Sequence, residues 1–251
     1  MKNIVSININ SYCPISKAFS YQERANLISE YITKEYNLPS IVAFQEVYSS
    51  KIDLISKAFP QYSVFSPIGN FGPQTLMSIT LVRNDMIKDA RAIATPSSCR
   101  LKNRLNIVRI ELTNGFAFSI INVYSVSKTG RTSAYFPRSE LYENTWDILH
   151  QLVCTETRRN RPCIVLGDLE EGSNSPKVVS LKEVGQLKEY VNNLPTAYNA
   201  KLHNAPVNID HIMLNKAFTE RYKVNSLGVD GAFRTLGLSD HSILSLNIKE
   251  R

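Results

Sequence analysis

Leu238-Ser239-Asp240-His241-Ser242 lies near the end of the 251-residue chain and leads into an apolar run that ends at Ile248. An aspartate directly beside a histidine, at the mouth of a buried strand, offers a carboxylate that can bind a metal and an imidazole that titrates near neutrality. Such a pair in a turn is by itself usually only solvated. It predicts a functional site here because polar residues also follow several other apolar runs of the chain.

The first half of the chain alternates apolar runs with amphipathic segments. Residues 4–9 and 40–46 are apolar without a helical period, and both runs carry their polar residues at the C-terminal end. Between them, Ala25, Ile28 and Ile32 form one helical stripe. The predicted elements of this half are strands over residues 4–9, 40–46 and 75–82 and helices over residues 22–36 and 52–59.

The second half contains the clearest hairpin signal, over residues 107–124, where Asn114-Gly115 supplies the positive φ angles of a tight turn. Further on, Gly167 is predicted to break an apolar strand and to deliver Asp168 into a loop. The other predicted elements are helices over residues 139–153 and 181–194 and strands over residues 163–166, 207–214 and 242–248. No repeat, low-complexity tract or linker interrupts this series, so we predict one domain over residues 1–251.

The composition is that of an ordinary globular protein, with 43% hydrophobic and 20% charged residues. No apolar run approaches the ~18 residues of a membrane span, and the N-terminus resembles a strand rather than a signal peptide. Cys13, Cys99, Cys154 and Cys163 lack metal-binding spacing, so free thiols are expected. We therefore expect a protein without a signal peptide, in the cytoplasm or another reducing compartment, and we expect a monomer.

The chain is basic, with 29 Lys and Arg against 22 Asp and Glu, a formal net charge of +7 and a pI near 9.2. An enzyme that acts on a polyanion gains encounter rate and affinity from such a field, although a charge run is more often a solvated face. Arg158, Arg159 and Arg161 are clustered in one turn. The residues expected to contact a nucleic-acid backbone are Arg100, Lys102, Arg104, Lys128 and Arg131.

Polar residues fall at or just beyond the ends of apolar strands at Asn8, Glu46, Asp168, Asp210 and Asp240. Strand ends are where a sheet places groups that line a cleft, and buried carboxylates need a cationic partner. Glu46 and Asp240 are hard oxygen ligands suited to Mg²⁺ or Mn²⁺, and the chain lacks the Cys and His clusters of a zinc site. The alternative is that such residues only cap helices, but five of them with one histidine favour a metal-binding cleft.

Six short motifs, taken in chain order, also carry a resemblance. They are Ser6-Ile7-Asn8-Ile9-Asn10, Phe44-Gln45-Glu46, Ile121-Asn122-Val123-Tyr124, Val165-Leu166-Gly167-Asp168, Asn208-Ile209-Asp210-His211 and Leu238-Ser239-Asp240-His241-Ser242. The series resembles the motifs of the endonuclease/exonuclease/phosphatase superfamily, and it is most similar to the exonuclease III and LINE-retrotransposon branches. The resemblance spans residues 4–248 and implies a DNase I-like α/β fold, a four-layer α/β/β/α sandwich of two packed mixed β-sheets flanked by helices.

The same resemblance implies a metal-dependent phosphodiester hydrolase, with a divalent ion that neutralises charge on the scissile phosphate. It assigns catalytic roles to Asn8, Tyr124, Asp168, Asp210 and His241 and metal binding to Glu46, Asp240 and Asn10. Asp168 would orient or deprotonate the attacking water, and His241, paired with Asp210, would contact the phosphate. Asn8 and Tyr124 would hydrogen-bond phosphate oxygens or the leaving group.

Two departures from the superfamily pattern bear on activity and substrate. Glu170 stands where the pattern has an asparagine that binds the phosphate, and a carboxylate there repels a phosphate unless it is protonated or binds a metal. A second metal site, an amide such as Asn174 in its place, or reduced activity are the three alternatives. The segment between Asp168 and Asp210 also lacks an aromatic insertion, and Trp146 is predicted to be a core residue, so specific abasic-site recognition is not expected.

Three hypotheses for the function follow. The first is a nuclease that cuts DNA, which the motifs and the basic surplus favour. The second is another phosphoesterase of the superfamily, acting on RNA, nucleotides, inositol phosphates or sphingomyelin. The third is a nucleic-acid binder with impaired catalysis, which Glu170 would explain.

Overall fold

In the computed structural model, the described residues are 1–11, 19–128, 136–190, 194–199 and 205–251. Six helices occur in this part of the chain: α1 (Tyr21–Glu35), α2 (Ile52–Ala58), α3 (Arg138–Arg158), α4 (Pro176–Gly185), α5 (Lys216–Arg221) and α6 (Ala232–Thr235). The strands are β1 (Asn3–Asn8), β2 (Ile41–Tyr48), β3 (Tyr62–Phe65), β4 (Leu76–Arg83), β5 (Ile87–Ile93), β6 (Leu105–Leu112), β7 (Ala117–Tyr124), β8 (Cys163–Asp168), β9 (Leu187–Glu189), β10 (Ala197–Asn199), β11 (Ala205–Val207), β12 (Asp210–Asn215), β13 (Tyr222–Asp230) and β14 (Ile243–Glu250).

Two six-stranded sheets form the centre of the molecule. The first sheet has the strand order β13-β14-β1-β2-β4-β3, and the second has the order β5-β6-β7-β8-β12-β9. Each sheet is mixed, because one inner pair is parallel in each (β1 with β2, and β7 with β8) while their other neighbours are antiparallel. A two-stranded ribbon, β10 with β11, lies outside both sheets.

The apolar residues divide into three clusters that correspond to the spaces between four layers. In β1, Ile4 packs against the other sheet while Val5 packs under α1 and α2. In β8, Ile164 belongs to the same cluster between the sheets, while Val165 packs under α3 and α4. Because successive side chains of a strand point to opposite faces, this alternation builds helix, sheet, sheet and helix in turn. The predicted four-layer sandwich is confirmed.

The same alternation decides where the polar residues at the strand ends point. Asn8, Asp168 and Asp210 are in step with the residues that face the space between the sheets. They therefore lie at one rim of that space, while His211, one residue further along β12, faces the helix side. Below the rim, Gln45 Nε2 donates to Asn122 Oδ1 at 2.7 Å, which joins the two sheets through a buried polar contact.

Most of the predicted elements are present, but the helix predicted over residues 181–194 is misplaced. Helix α4 starts earlier, because the Ser175 side chain accepts a hydrogen bond from the backbone of Val178 and a proline follows in the first turn. Gln186 then adopts a left-handed conformation with φ 47°, which ends the helix, and β9 follows at once. Residues 191–193 lie outside the described residues.

Two strand predictions also need correction. Gly167 does not break its strand: it lies within β8 at φ 124°, and a Cβ there would be 2.1 Å from the carbonyl oxygen of Val123. Only glycine allows this close approach of β7 and β8. The strand predicted over residues 207–214 is divided into β11 and β12, because the carbonyl of Ile209 instead accepts from the backbone of Leu169 at 2.8 Å.

Cys99, Cys154 and Cys163 are free thiols, as predicted, and Cys13 lies outside the described residues. Trp146 is 1% exposed, which confirms the prediction that it is a core residue. Among the helices of the described residues, none is both long and apolar enough to cross a membrane.

Candidate active site

Asn8, at the end of β1, is the hub of the polar rim. Its buried side chain donates from Nδ2 to Glu46 Oε1 at 2.9 Å and to Asp168 Oδ2 at 3.0 Å. Its Oδ1 accepts from the backbone N–H of Asn10 at 2.8 Å. Both amide hydrogens of Asn8 are therefore engaged by carboxylates that come from opposite sheets.

Glu46 reaches this hub through a β-bulge in β2. The register of β2 on β4 shifts between Phe44 and Val47, and Glu46 adopts a left-handed conformation with φ 59°. A bulge turns a side chain away from the regular alternation and is often found beside active sites. Asn10 and Glu170 have positive φ as well, at 37° and 56°, so three residues of this rim have sparsely populated backbone conformations.

Asp168, Asp210 and His241 form the second part of the rim. Asp168 and Asp210 are directly paired across β8 and β12, and the three side chains have polar atoms within 4.8 Å of one another. His241 Nδ1 lies 2.9 Å from Asp210 Oδ2, and its Nε2 lies 4.0 Å from Asp168 Oδ2. The carboxylate of Asp210 thus fixes the ring so that Nε2 points towards Asp168.

The electrostatics of this trio favour a charged histidine and a basic aspartate. Burial lowers the pKa of His241, but the charge and hydrogen bond of Asp210, with the charges of two further aspartates, outweigh it and raise the pKa to about 10. Burial and the charges of Asp210 and Glu170 raise the pKa of Asp168 well above its ordinary range. The proton affinity of Asp168 is therefore unusually high for a carboxylate.

Asp240 and Asn10 form the third part of the rim, on two turns of the first sheet. Asn10 Nδ2 donates to Asp240 Oδ1 at 2.7 Å, and the hydroxyl of Ser239 donates to the carbonyl of Asn8 at 2.6 Å. The Asp240 side chain is 43% exposed, in contrast to the buried aspartates beside it. Its carboxylate is therefore open to an ion or a substrate from solution.

Arg24 joins these two turns, and the sequence reasoning missed it. The side chain is buried, and its guanidinium donates to the carbonyls of Leu238 (3.1 Å from Nε), Asn10 (3.2 Å from Nη1) and Ile9. An arginine in the first turn of an amphipathic helix is typically a solvated residue, so its spacing gives no signal. Its three acceptors within the described residues are all backbone groups, of residues 9–10 and 238, which no side-chain motif records.

Tyr124, Arg104 and Glu170 lie at the side of the rim formed by the second sheet. The Arg104 guanidinium stacks 4.0 Å from the Tyr124 ring centroid and donates to the carbonyl of Ser125 at 2.8 Å. Burial and the charge of Glu46 raise the pKa of Tyr124, so its hydroxyl stays protonated. Burial raises the pKa of Glu170 as well, although nearby cationic side chains oppose this shift. The backbone N–H of Glu170 donates to Asp168 Oδ1 at 3.0 Å and so helps to hold that carboxylate.

The predicted nucleic-acid contacts are only partly brought to this rim. Arg104 is part of it, whereas Arg100 is paired with Glu140 at 2.5 Å. Arg100 also shares a shallow depression with Glu143 and Asp147, so acidic groups surround it. Lys102 is half-buried, Lys128 is exposed, and Arg131 lies outside the described residues.

Asn174, the suggested substitute for the missing amide, is exposed and shares a cavity of about 240 Å³ with Asp210.

The donor chemistry of the rim fits a hard divalent cation. Glu46, Asp168, Glu170, Asp210 and Asp240 supply carboxylates, and no cysteine joins them within the described residues. Oxygen-only sites of this kind suit Mg²⁺ or Mn²⁺. Asp210 is engaged at hydrogen-bond distance by His241 Nδ1, which leaves Glu46 and Asp240 among the carboxylates available to an ion.

Comparison with known proteins gives one family and many similar structures. A model of the Endonuclease/Exonuclease/phosphatase family matches residues 5–241. Curated proteins give no match. The matched segment contains every residue of the rim.

The similar structures share the fold at low sequence identity. An endonuclease/exonuclease/phosphatase from Bacteroides vulgatus is 16% identical with a TM-score of 0.72 over 100% of this chain and 99% of that chain. The 3′ phosphatase NExo from Neisseria, in a variant form bound to a product DNA hairpin, is 16% identical with a TM-score of 0.71 over 99% and 100%. An AP endonuclease from Archaeoglobus fulgidus is 17% identical with a TM-score of 0.69 over 98% of each chain. These similarities establish the two-sheet sandwich.

Proposed function

Because the chain belongs to the endonuclease/exonuclease/phosphatase family, we propose that it is a divalent-metal-dependent phosphodiesterase that cuts the backbone of DNA. One observation carries this proposal: acidic side chains from distant segments meet His241 at a single rim between the sheets. The contacts link residues up to 231 positions apart in the chain. Such an acidic, partly enclosed rim suits a cation and a phosphodiester together.

Glu46 and Asp240, with the amide oxygen of Asn10, would hold the metal, for which we propose Mg²⁺ or Mn²⁺. When bound, the ion would neutralise the negative charge that develops on the phosphate. Glu46 accepts hydrogen bonds from Asn8 and Tyr124 and would use its remaining lone pairs for the ion, and Asp240 is available because its side chain is 43% exposed.

Asp168 is the residue that we propose takes the proton of the attacking water. Its Oδ1 accepts from the backbone of Glu170 and its Oδ2 from Asn8, so the carboxylate is held in one orientation. In its ionised form Asp168 is a stronger base than an ordinary carboxylate, because burial and the charges of Asp210 and Glu170 raise its pKa. Because both amide hydrogens of Asn8 are engaged by carboxylates, Asn8 acts in this proposal by positioning them rather than by binding the phosphate.

His241 would donate from Nε2 to a phosphate oxygen, since Nδ1 is engaged by Asp210. A protonated imidazole places a positive charge beside the reacting group, and in the metal-free protein the raised pKa of His241 keeps that charge at neutral pH. Tyr124, whose phenol stays protonated, hydrogen-bonds the Glu46 carboxylate and would in this proposal help to position that ligand.

Two observations support DNA as the substrate. The net charge of +7 attracts a polyanion. Similar structures include a 3′ phosphatase bound to a product DNA hairpin and an AP endonuclease. Arg104 and the exposed Lys128 are the described cations that we propose contact the backbone, with Arg131 as a further predicted contact.

The test is nicking of supercoiled plasmid with Mg²⁺ or Mn²⁺, with and without a chelator. We expect nicking that the chelator abolishes, and a loss of at least about 100-fold in Asp168→Asn and His241→Ala. Asp147→Asn is the matched control, because Asp147 is an exposed acid on α3 and is not one of the rim residues. Absence of nicking with every metal tested, or equal activity in all three variants, would overturn the proposal.

Glu170 favours a second candidate, a DNA-binding member of the family with impaired hydrolysis. Its carboxylate stands beside Asp168, where a phosphate would meet a negative group. If this candidate is right, the parent protein binds DNA without cutting it, and Glu170→Asn gains hydrolysis. A digestion panel of plasmid, single strand, abasic duplex, RNA and small phosphoesters separates it from a phosphoesterase with another substrate, since such an enzyme would cut one of the others.

A further inference from the structure

A cluster of arginines lies on the outer face of the second sheet, at the end remote from the rim. Arg91 on β5 and Arg109 on β6 are directly opposite each other across the ladder. Arg161 follows the C-terminus of α3 and approaches the same place, where Glu156 of α3 is the acidic neighbour. Like charges directly opposite each other destabilise a sheet, so the arrangement calls for an anionic partner.

Glu156 supplies the anionic partner of these arginines only in part. Its Oε1 lies 3.5 Å from Arg109 Nη2 and 4.0 Å from Arg161 Nη1, beyond a good hydrogen bond in both cases, while its Oε2 accepts from the Ser119 hydroxyl at 3.0 Å. Arg161 Nη1 is buried without a hydrogen-bond partner in the described part of the chain. Within the described residues Glu156 is thus the carboxylate paired with Arg109 and Arg161, so a single negative charge faces two guanidinium groups.

The arginines border a cavity large enough for a small anion. It measures about 220 Å³ and is lined by Arg109, Ser119 and Arg161, with Ala117 and Phe118 as the apolar part. Arg161 is held in place by its backbone, because its N–H donates to the Glu156 carbonyl at 2.9 Å and its carbonyl accepts from Asn215 at 2.7 Å. A pair of guanidinium groups on adjacent elements is a common protein ligand for phosphate.

This cavity is separate from the catalytic rim. Ser119 pairs with Cys163 at the start of β8, whereas Tyr124 pairs with Asp168 at its end. Five residues of strand separate the two positions, which is about 16 Å at the usual rise per residue. An anion here would not meet the catalytic side chains.

We propose that Arg109 and Arg161, supported by Arg91, form a second anion site that binds a phosphate group. The site does not depend on the proposed catalysis. The phosphate can be free or can belong to a nucleic-acid backbone that extends over the outer face of the sheet, and the experiment below separates these sources.

The first measurement is the binding of inorganic phosphate to the full chain in excess chelator, which suppresses metal-dependent binding at the rim. Phosphate should shift amide resonances of residues near Ser119 and Arg161 and raise the melting temperature. Arg161→Gln and Arg109→Gln should weaken this binding about tenfold or more, because each removes a charge-assisted donor. Arg159→Gln is the matched control: it removes one exposed arginine from the same turn, outside the cavity, and should bind as the parent does.

Glu156→Gln provides a test in the opposite direction. It keeps the side-chain shape but removes the competing negative charge, so phosphate should bind on the order of threefold tighter. This variant keeps the proposal falsifiable even if an arginine variant fails to fold. Equal weakening in the Arg159→Gln control, or unchanged binding in Arg161→Gln and Glu156→Gln, would overturn the site.

Salt dependence of DNA binding, also in chelator, distinguishes the two sources of phosphate. If the site binds a DNA phosphate, the slope of log affinity for DNA against log salt should fall by about one in Arg161→Gln. If its ligand is free phosphate, the slope should not change. A site for free phosphate only gives an unchanged slope together with the loss of phosphate binding. Both results support the anion site, and they assign its ligand.

Discussion

At the scale of single residues, the charge state of His241 is set by the carboxylates around it. Asp210 accepts its Nδ1 proton, and Asp168 and Asp240 each have an oxygen 4.0 Å from its Nε2. Burial lowers the pKa of His241, but these charges outweigh it and raise the pKa to about 10. Because the folded-state pKa lies above the ordinary value near 6.5, protonated His241 stabilises the metal-free fold fully below pH 6.5. That contribution is lost as the pH rises through about 10.

The corresponding prediction concerns Asp210→Asn in chelator-treated protein. Removing the charge and the acceptor should lower the pKa of His241 towards neutrality, as followed by NMR of the ring protons. In the metal-loaded protein the same change should reduce hydrolysis by about 10²–10⁴-fold. Asp147→Asn, on the exposed face of α3, should leave both quantities unchanged. A parent His241 that titrates near 6.5 would contradict the prediction.

The backbone conformation at the bulge restricts which residue types position 46 tolerates. Its φ of 59° is unfavourable for any residue with a Cβ, by roughly 1 kcal/mol, whereas glycine tolerates it. We therefore predict that Glu46→Gly is more stable than Glu46→Ala by at least about 0.5 kcal/mol in urea unfolding, although both lose the metal ligand. The reverse order is expected at a position with ordinary φ. Asp53 on the short helix α2 is a suitable control, because there the alanine variant should be the more stable of the two.

At the scale of elements, α1 braces the turns that carry the proposed metal ligands. Arg24 lies in the first turn of α1 and donates to carbonyls on both turns, at Asn10 and Leu238. These backbone carbonyls, with that of Ile9, solvate the buried guanidinium. The two turns are adjacent because β1 and β14 are paired, and Arg24 adds a side chain that binds both.

Arg24→Met should therefore affect stability and metal binding together. It leaves buried carbonyls without donors, which should lower the free energy of unfolding by about 2–4 kcal/mol. It should also weaken Mn²⁺ binding, measured by electron paramagnetic resonance, because Asn10 and Asp240 lose their common support. Lys34→Met, at the exposed last turn of the same helix, should change stability by less than about 0.5 kcal/mol. Full Mn²⁺ affinity in a folded Arg24→Met protein would contradict the positioning role.

Sequence patterns predicted the elements whose burial is simple. β1, β2, β8 and α3 follow from uniform apolar runs or one helical stripe, and the polar strand ends then indicated the rim. Strands that form mainly because they pair with a neighbouring strand were missed. β13 is half-exposed and its apolar and polar residues do not alternate regularly, and β9 is only three residues long. The bulge at Glu46 and the role of Arg24 were also beyond prediction, because both depend on backbone positions that residue types do not record.

At the scale of the whole molecule, a net positive charge is combined with a cluster of carboxylates at the rim. The net charge of +7 attracts polyanions from a distance, while the carboxylates of the rim would repel a phosphate at contact. A divalent cation at the rim would remove this repulsion. The net charge therefore acts on a polyanion at long range, and the rim acts on the phosphate at contact. Only the contact at the rim depends on the metal.

The stability of the whole molecule towards acid should depend on a second buried His–carboxylate pair, away from the rim. Glu189 on β9 is 6% exposed and accepts from His211 at 2.5 Å, Ser173 at 2.8 Å and Lys182 at 2.9 Å. His211 also bonds the Glu171 carbonyl at 2.7 Å, so the group ties β9 and β12 to the loop after β8. Burial raises the pKa of Glu189, but these hydrogen bonds and the His211 charge outweigh it and lower the pKa to about 2.

Because this folded-state pKa lies below the ordinary value, the ionised form of Glu189 favours folding above about pH 4.5, and the contribution is lost as the pH falls towards 2. Glu189→Gln should reduce the free energy of unfolding at pH 7 by on the order of 2 kcal/mol and flatten its dependence on pH between about 5 and 2, measured by urea titration at each pH. Glu111→Gln is the matched control: its partner Lys88 is 63% exposed, so solvent screens the pair and the stability should barely change. If Glu189→Gln loses stability between pH 5 and 2 as steeply as the parent does, another carboxylate governs acid unfolding.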